Sequence, residues 1–406
     1  MEWKEIHLGD IATIKGGKRL PKGVNLVSSP NSHPYIRVRD LGLKKVLELD
    51  SSYEYVDDDT QKLISRYIVN TGDIIISIVG TIGLVAIVGK SLNNANLTEN
   101  CVKLIDINNF DKEFLYYYLI SELGKQEIQK GIVGAVQAKL PIKNIQNIIV
   151  KAPDILLQQK IASILSSLDA KIENNNKINA NLEAQAQALF KSWFVDFEPF
   201  QDGEFEDSEL GRIPKGWKVG TLESLCSFIS RGLSPKYSDE TDQWVLGQTC
   251  VRNNIVSMKN ARLHKLKSPT EKKVKQWDVL INSTGIGSLG RVGIIYFDSS
   301  NVAFDSHLTV VRAKDSIYKF YIGRNLLNRQ LEIENMAVGS TGQTELPRES
   351  VKQMRIVIPS EEILSNFNSL IEPIGLLMFR NLEENEMLAK TRDTLLPKLM
   401  SGEIEV

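Results

Sequence analysis

The chain repeats itself, and this constrains its fold more than any other feature. Gln137-Ala138-Lys139-Leu140-Pro141 is answered by Gln343-Thr344-Glu345-Leu346-Pro347 at an offset of 206. In each copy a second proline, Pro153 or Pro359, follows twelve residues after the first, and a β-rich run (Ile148-Ile149-Val150, Ile356-Val357-Ile358) precedes it. Upstream, Gly72-Asp73-Ile74-Ile75-Ile76 corresponds to Trp277-Asp278-Val279-Leu280-Ile281. Each of these enters a Gly/Ser/Thr loop, Ser77 to Gly83 and Ser283 to Gly290. The starts also match: Trp3-Lys4 with Leu8, and Trp217-Lys218 with Leu222. Local offsets drift between 205 and 214, as variable loops within a shared frame require. A duplication this long reads as one module written twice.

A chain of 406 residues exceeds one ordinary core and suits two or more domains. Residues 1–153 and 213–359 alternate short β-branched runs with Gly, Asn and Asp turns. They include a helix or two each, around Phe114 to Lys130 and Ile317 to Met336. This predicts strand-rich globular domains of mixed α/β (α+β) class. Residues 154–200 and 360–406 change to a helical period, and 201–212 read as a linker.

In the first helical segment, Ile161, Leu165, Leu168, Ile172, Asn175, Asn179, Leu182, Ala186, Leu189 and Trp193 are spaced alternately four and three. That is the seam of a coiled coil. Adding 206 gives Phe367, Ile371, Ile374, Met378, Asn381, Asn385, Leu388, Arg392, Leu395 and Leu399. The second seam is apolar at the same steps and carries asparagine at the same two, with Arg392 the one charged exception. Buried asparagine weakens a coiled coil but fixes its register and partner. An antiparallel pairing in register makes facing positions total about 560, so that Asn175 meets Asn385 and Asn179 meets Asn381. A parallel pairing also brings asparagines together. A helix from Ile161 to Trp193 is on the order of 50 Å long, more than one turn of DNA at roughly 34–36 Å. Pro373 is expected to bend or delay the second helix.

The net charge of −1 hides a division. Residues 154–200 hold four Lys/Arg against six Asp/Glu, and residues 360–406 four against nine. The helical segments therefore carry −7 and the remainder, 41 basic against 35 acidic residues, +6. Net-basic globular parts are compatible with nucleic-acid contact. The longest apolar stretch, Asp73 to Val88, is too short and too Gly-interrupted to span a bilayer. The N-terminus has no apolar signal region. Cys101, Cys226 and Cys250 follow no pairing motif, which suggests a reducing cytoplasm and neither a disulfide framework nor zinc. The four scattered histidines give no metal centre.

The usual catalytic signatures are missing. Gly83 to Ser91 ends in Gly89-Lys90-Ser91 like a phosphate loop, but has five residues between its glycines where the motif needs four. No Asn-Pro-Pro-Tyr or Asp-Pro-Pro-Tyr sequence is present to hold a flipped base, and no glycine-rich cofactor fingerprint follows a first strand.

Leu168-Asp169-Ala170-Lys171-Ile172-Glu173-Asn174-Asn175 and Ala186-Gln187-Ala188-Leu189-Phe190-Lys191-Ser192-Trp193-Phe194-Val195-Asp196-Phe197 resemble the central conserved region of type I restriction-modification specificity subunits. Thr394-Leu395-Leu396-Pro397-Lys398-Leu399-Met400-Ser401-Gly402-Glu403-Ile404 resembles their distal conserved region. The resemblance covers the whole chain. It implies two target-recognition domains joined by two long antiparallel coiled-coil helices about a pseudo-twofold axis, each domain reading one part of a split, asymmetric DNA site. It also implies that two modification subunits dock on the helices and that restriction subunits join them. S-adenosylmethionine, ATP and magnesium then belong to those partners, and this chain binds no cofactor. The competing readings are a stand-alone DNA-modifying enzyme and a helical scaffold that binds only proteins.

Phosphate contacts come from Lys, Arg, hydroxyls and loop amides; base readout uses Arg, Lys, Asn and Gln. In the first domain the DNA-contact candidates are Lys15, Lys18, Arg19 and Lys22, with Arg37 and Arg39 flanking a strand and facing one side. In the second they are Arg231, Lys236 and Tyr237, then Arg252 and Asn253. The Gly/Ser/Thr loops add Thr81, and Ser283, Thr284 and Arg291. They either let backbone approach DNA or simply need positive φ. The recurring loops add Gln137, Lys139 and Gln343, where recurrence suggests a structural or phosphate role. The helix-pairing candidates are Leu168, Ile172, Asn175, Asn179, Leu182 and Leu189 against Met378, Asn381, Asn385, Leu388 and Leu395. Trp193, Phe194, Phe197 and Phe200 either dock a modification subunit or cap the helices against the next domain.

Overall fold

The computed structural model of the protein describes residues 3–42, 44–134, 136–265, 269–339 and 344–406. The chain divides into two compact units. The first comprises Met1–Asn174 and Glu384–Val406, the second Asn175–Glu383.

In the first unit the strand Lys4–His7 pairs antiparallel with Ile149–Ala152. A five-stranded sheet follows in the order Thr13–Gly16, Cys101–Ile105, Ile74–Ser77, Val85–Val88, Val46–Leu47. A smaller sheet orders Glu54–Tyr55, Pro34–Ile36 and Asn96–Leu97. The unbroken apolar run at Ile74 reflects burial of both faces of its strand. Ile74 and Ile76 pack with Phe114, Tyr117 and Leu165, while Ile75 packs with Ile36, Val69 and Leu97.

The second unit repeats this topology. Its main sheet runs Cys226–Arg231, Leu308–Ala313, Val279–Asn282, Val292–Ile294, Ile255–Val256, with Val251–Arg252 added at the edge. Arg262–Leu263, Trp244–Leu246 and Val302–Phe304 form the smaller sheet, and Lys218–Thr221 pairs with Arg355–Ile358. Ile75 lies opposite Lys103 in one copy, and Leu280 opposite Val310 in the other. Part of the expected linker is ordered: Phe205–Ser208 and Gly211–Pro214 form a hairpin.

Two long helices, α1 (Ile155–Phe194) and α2 (Glu361–Ser401), carry the seam. Pro373 does not delay α2, which begins twelve residues before it and runs through; its ring lies on an exposed face. In the first unit Arg392 Nη1 donates to Asp169 Oδ1 at 2.6 Å. In the second, Asn381 Nδ2 donates to Asn179 Oδ1 at 2.8 Å, and the rings of Phe194 and Phe367 meet at 4.8 Å. Within each unit the helices are therefore antiparallel, and facing residue numbers total 560 or 561, the register expected of the antiparallel pairing. Every residue of the predicted seam is buried or half-buried. Arg392, the charged exception, is held by the Asp169 carboxylate.

Cys101 and Cys250 are buried, and all three thiols are free. Burial pushes Cys101 and Cys226 up to about 12. Among the described residues no helix is long and apolar enough to cross a membrane.

Candidate nucleic-acid interface

Strand register brings the candidate loops of each unit to one end of its main sheet. In the first unit Gly16 pairs with Val102 and Ser77 with Cys101. The segments after Gly16, before Cys101 and after Ser77 therefore leave the same rim. The recurring loop joins them: Leu140 N donates to Ile78 O at 3.0 Å, and Lys139 bridges to both Val79 and Val133. The second unit repeats this, with Leu346 N on Ser283 O at 2.8 Å and Glu345 bridging to Thr284 and Val338. The recurrence of this loop thus has a structural cause: it closes the rim in both copies.

Close approach of backbone also recurs. A Cβ on Gly17 would run into the Thr98 carbonyl, and one on Gly232 into those of Phe304 and Asp305. Gly83 and Gly290 take φ of 86° and 83°. The Ser77 hydroxyl donates to Thr81 O at 2.6 Å and accepts from Leu84 N at 2.9 Å. The turn itself therefore accounts for these glycines, and it presents Thr81 at the exposed tip.

Around the first rim, Lys15, Lys18, Lys22, Gln137 and Lys139 are exposed. Lys18 Nζ lies 5.5 Å from the Tyr67 ring centroid. Arg19 projects into solvent but holds Glu99 at 2.6 Å. Arg37 and Arg39 do share a face, though not by strand alternation: the strand ends at Ile36 and a 3-10 turn follows. Both guanidiniums converge on Glu54, Arg39 at 3.0 Å.

In the second unit Lys236 is exposed, and Tyr237 is 43% exposed beneath the Arg262 guanidinium at 3.4 Å. Arg231 pairs with Glu345 at 2.8 Å, and Arg291 donates to Gly287 O at 2.7 Å. One candidate is corrected. Ser283 is fully buried, its hydroxyl 2.6 Å from that of Thr309, so its side chain faces the core. Asn253 and Asn254 take φ of 50° and 66° in the turn of a two-residue hairpin, where asparagine tolerates the left-handed region. Arg252 belongs to that hairpin and is exposed. Gln343 lies outside the described residues.

Sequence reasoning missed Gln248 and His307. Gln248 Nε2 donates to the Thr284 hydroxyl at 2.7 Å and to its carbonyl; that hydroxyl lies 2.8 Å from His307 Nδ1. No spacing signal connects residues this far apart.

The phosphate-loop likeness fails structurally. After Gly83 the chain enters the strand Val85–Val88 and opens no long helix, and Glu48 takes the Ser91 amide at 2.9 Å. Among the described residues no group of His, Cys, Asp and Glu is placed to hold a metal ion. The aromatic residues past the seam pack inside the second unit. Phe194 meets Tyr321 at 4.9 Å, Phe197 meets Trp217 at 5.7 Å, Phe200 meets Trp217 at 5.1 Å, and Trp193 meets Phe367 at 5.9 Å. This favours the capping role over partner docking.

Comparison with known proteins gives a consistent result. Residues 1–184 match the type I restriction modification DNA specificity domain. The whole chain is 27% identical to the type I restriction enzyme MjaIX specificity subunit of Methanocaldococcus jannaschii, covering 94% of it. Over 99% of its length it is 25% identical to the type I restriction enzyme HindI specificity subunit of Haemophilus influenzae, covering all of that protein. Its fold is similar to the crystal structure of the type I restriction-modification S subunit from M. genitalium, with a TM-score of 0.57 at 15% identity, over 98% of this chain and 96% of that one.

Proposed function

We propose that this chain, a member of the type I restriction-modification specificity-subunit family, recognises a two-part DNA site and assembles the subunits that act on it. Residues 1–153 and 213–359 are its recognition domains, and each rim reads one half-site. The two long helices pair within each unit and offer surface to two modification subunits, on which restriction subunits assemble. Methyl transfer and ATP-driven cleavage, with S-adenosylmethionine, ATP and magnesium, belong to those partners. This chain performs no catalysis and works in the cytoplasm, where its buried free thiols remain reduced.

The observation that carries this reading is the pairing of a constant frame with unlike rims. Both rims are closed by the same hydrogen bonds, yet Lys139 in one copy stands where Glu345 stands in the other. A frame that fixes geometry while its contact residues diverge suits a reader of two different half-sites.

The test is a footprint on DNA carrying the site, with the chain bound to its modification subunit. Two protected, sequence-dependent tracts separated by an indifferent gap are expected. Protection indifferent to sequence would favour a protein scaffold. Methyl transfer by the chain without a partner would favour a self-contained enzyme.

A further inference from the structure

We propose that Gln248, Thr284 and His307 determine specificity in the second half-site, with the outer nitrogen of His307 as the hydrogen-bond donor to a purine edge. The inference rests on the functional reading above and adds which side chains discriminate bases.

The three residues come from three separate segments of the second rim. Gln248 follows the smaller sheet, Thr284 opens the Gly/Ser/Thr loop and His307 precedes the strand Leu308–Ala313. The Gln248 amide donates to the Thr284 hydroxyl at 2.7 Å and also to the Thr284 carbonyl. The amide packs directly against Gly285, where a Cβ would clash with it. The Thr284 hydroxyl, which accepts from Gln248, lies 2.8 Å from His307 Nδ1 and has its own proton to give to that nitrogen. In the tautomer that accepts this proton at Nδ1, the ring N–H is on Nε2. His307 is exposed, so an oriented donor is presented on the rim. Purines offer N7, and guanine also O6, as acceptors in the major groove. A side chain held by Thr284, itself held by Gln248, loses less entropy on binding than a mobile lysine, which favours readout.

The first unit supplies the contrast. Ile78 N donates to Asn100 O as Ser283 N does to His307 O, so Asn100 occupies the His307 place. Val79 bridges to Lys139 as Thr284 does to Glu345. Val38 opens the same 3-10 turn as Gln248. At three equivalent places the second rim has Gln, Thr and His where the first has Val, Val and Asn. The shared hydrogen bonds persist with either set, so the frame does not require the polar one.

The experiment uses the complex of chain and modification subunit, with S-adenosylmethionine and a DNA library randomised across both half-sites; modified molecules are sequenced. His307→Asn and Thr284→Val each install the first unit's residue, and Thr284→Ser retains the hydroxyl. The first two are expected to change the preferred base at one or two neighbouring positions of one half-site. They should also cut modification of the original site roughly tenfold to a hundredfold. The other half-site and the Thr284→Ser variant should keep their preferences. Unchanged preferences, or a uniform loss over all sequences, would overturn the proposal. His307 is a surface residue, so His307→Asn decides the matter even if Thr284→Val impairs folding. A wild-type complex that selected no sequence would instead contradict the functional reading itself.

Discussion

The two units attach the same sheet domain to the same helix pair by different chemistry. In the first the attachment is polar and partly buried. The Tyr117 hydroxyl donates to Asp169 at 2.5 Å, Asp169 also takes Arg392, and Lys45 bridges Glu113 and the Ser166 hydroxyl. Burial, and then the neighbouring carboxylate, push the Tyr117 phenol up, so it keeps the proton it donates. In the second unit the helix positions equivalent to Asp169 and Arg392 are Gly375 and Ala186. Trp277 lies on Gly375, and Ala186 is fully buried. The charge appears elsewhere and deeper: Arg324, 3% exposed, pairs with Glu183 at 2.6 Å. The seam and sheet order fix position, and the local contacts are free to differ. The seats are consequently not interchangeable.

The largest expected effect comes from breaking the buried pair. Glu183→Leu leaves the Arg324 guanidinium without its carboxylate and should destabilise the second unit by about 3–5 kcal/mol. Hydrogen exchange resolved along the chain should localise the loss to Asn175–Glu383. Asp169→Asn in the first unit should cost less, about 1–2 kcal/mol, because Arg392 retains partial exposure and Asp393 at 2.8 Å. If chemical denaturation shows the two costs equal, the contrast between the seats fails.

Replacing the paired asparagines with leucine in both helices, Asn179→Leu with Asn381→Leu, should leave stability unchanged or raise it by about 1 kcal/mol while loosening register. Cysteine cross-linking across the seam should then capture shifted as well as native pairs. Retention of the native pairs alone would contradict a register role. The smallest effect concerns charge on the rims. Lys139→Glu should change stability by less than about 0.5 kcal/mol, and Glu345→Lys, which breaks the Arg231 pair, should cost about 1 kcal/mol. They should move the salt dependence of DNA binding in opposite directions, the slope shifting by about 1 each.

Local spacing and the duplication made much of this legible. The asparagine steps allowed an antiparallel or a parallel pairing, the resemblance implied the antiparallel one, and the Asn179–Asn381 contact bears that out; the repeat anticipated two copies of one sheet topology. Residues whose role depends on distant partners were not legible. Ser283 looks like a loop hydroxyl until strand pairing turns it toward Thr309. Asn253 looks like a reading residue until the hairpin gives its side chain type a second reason, a left-handed turn. Arg392 looks like a defect in the seam because its partner, Asp169, lies 223 residues away. His307 and Gln248 carry no motif, since three separate segments must fold before they meet Thr284.

The central claim is that one frame, written twice, reads two different sequences. Its most direct test is selection from randomised DNA by the complete complex, before and after residues 283–289 are exchanged for residues 78–82, the corresponding loop closed by Gly83. The account predicts two conserved tracts separated by a gap of fixed length, of which the exchange rewrites one and leaves the other intact. A single continuous tract, or an exchange that altered both tracts together, would contradict it.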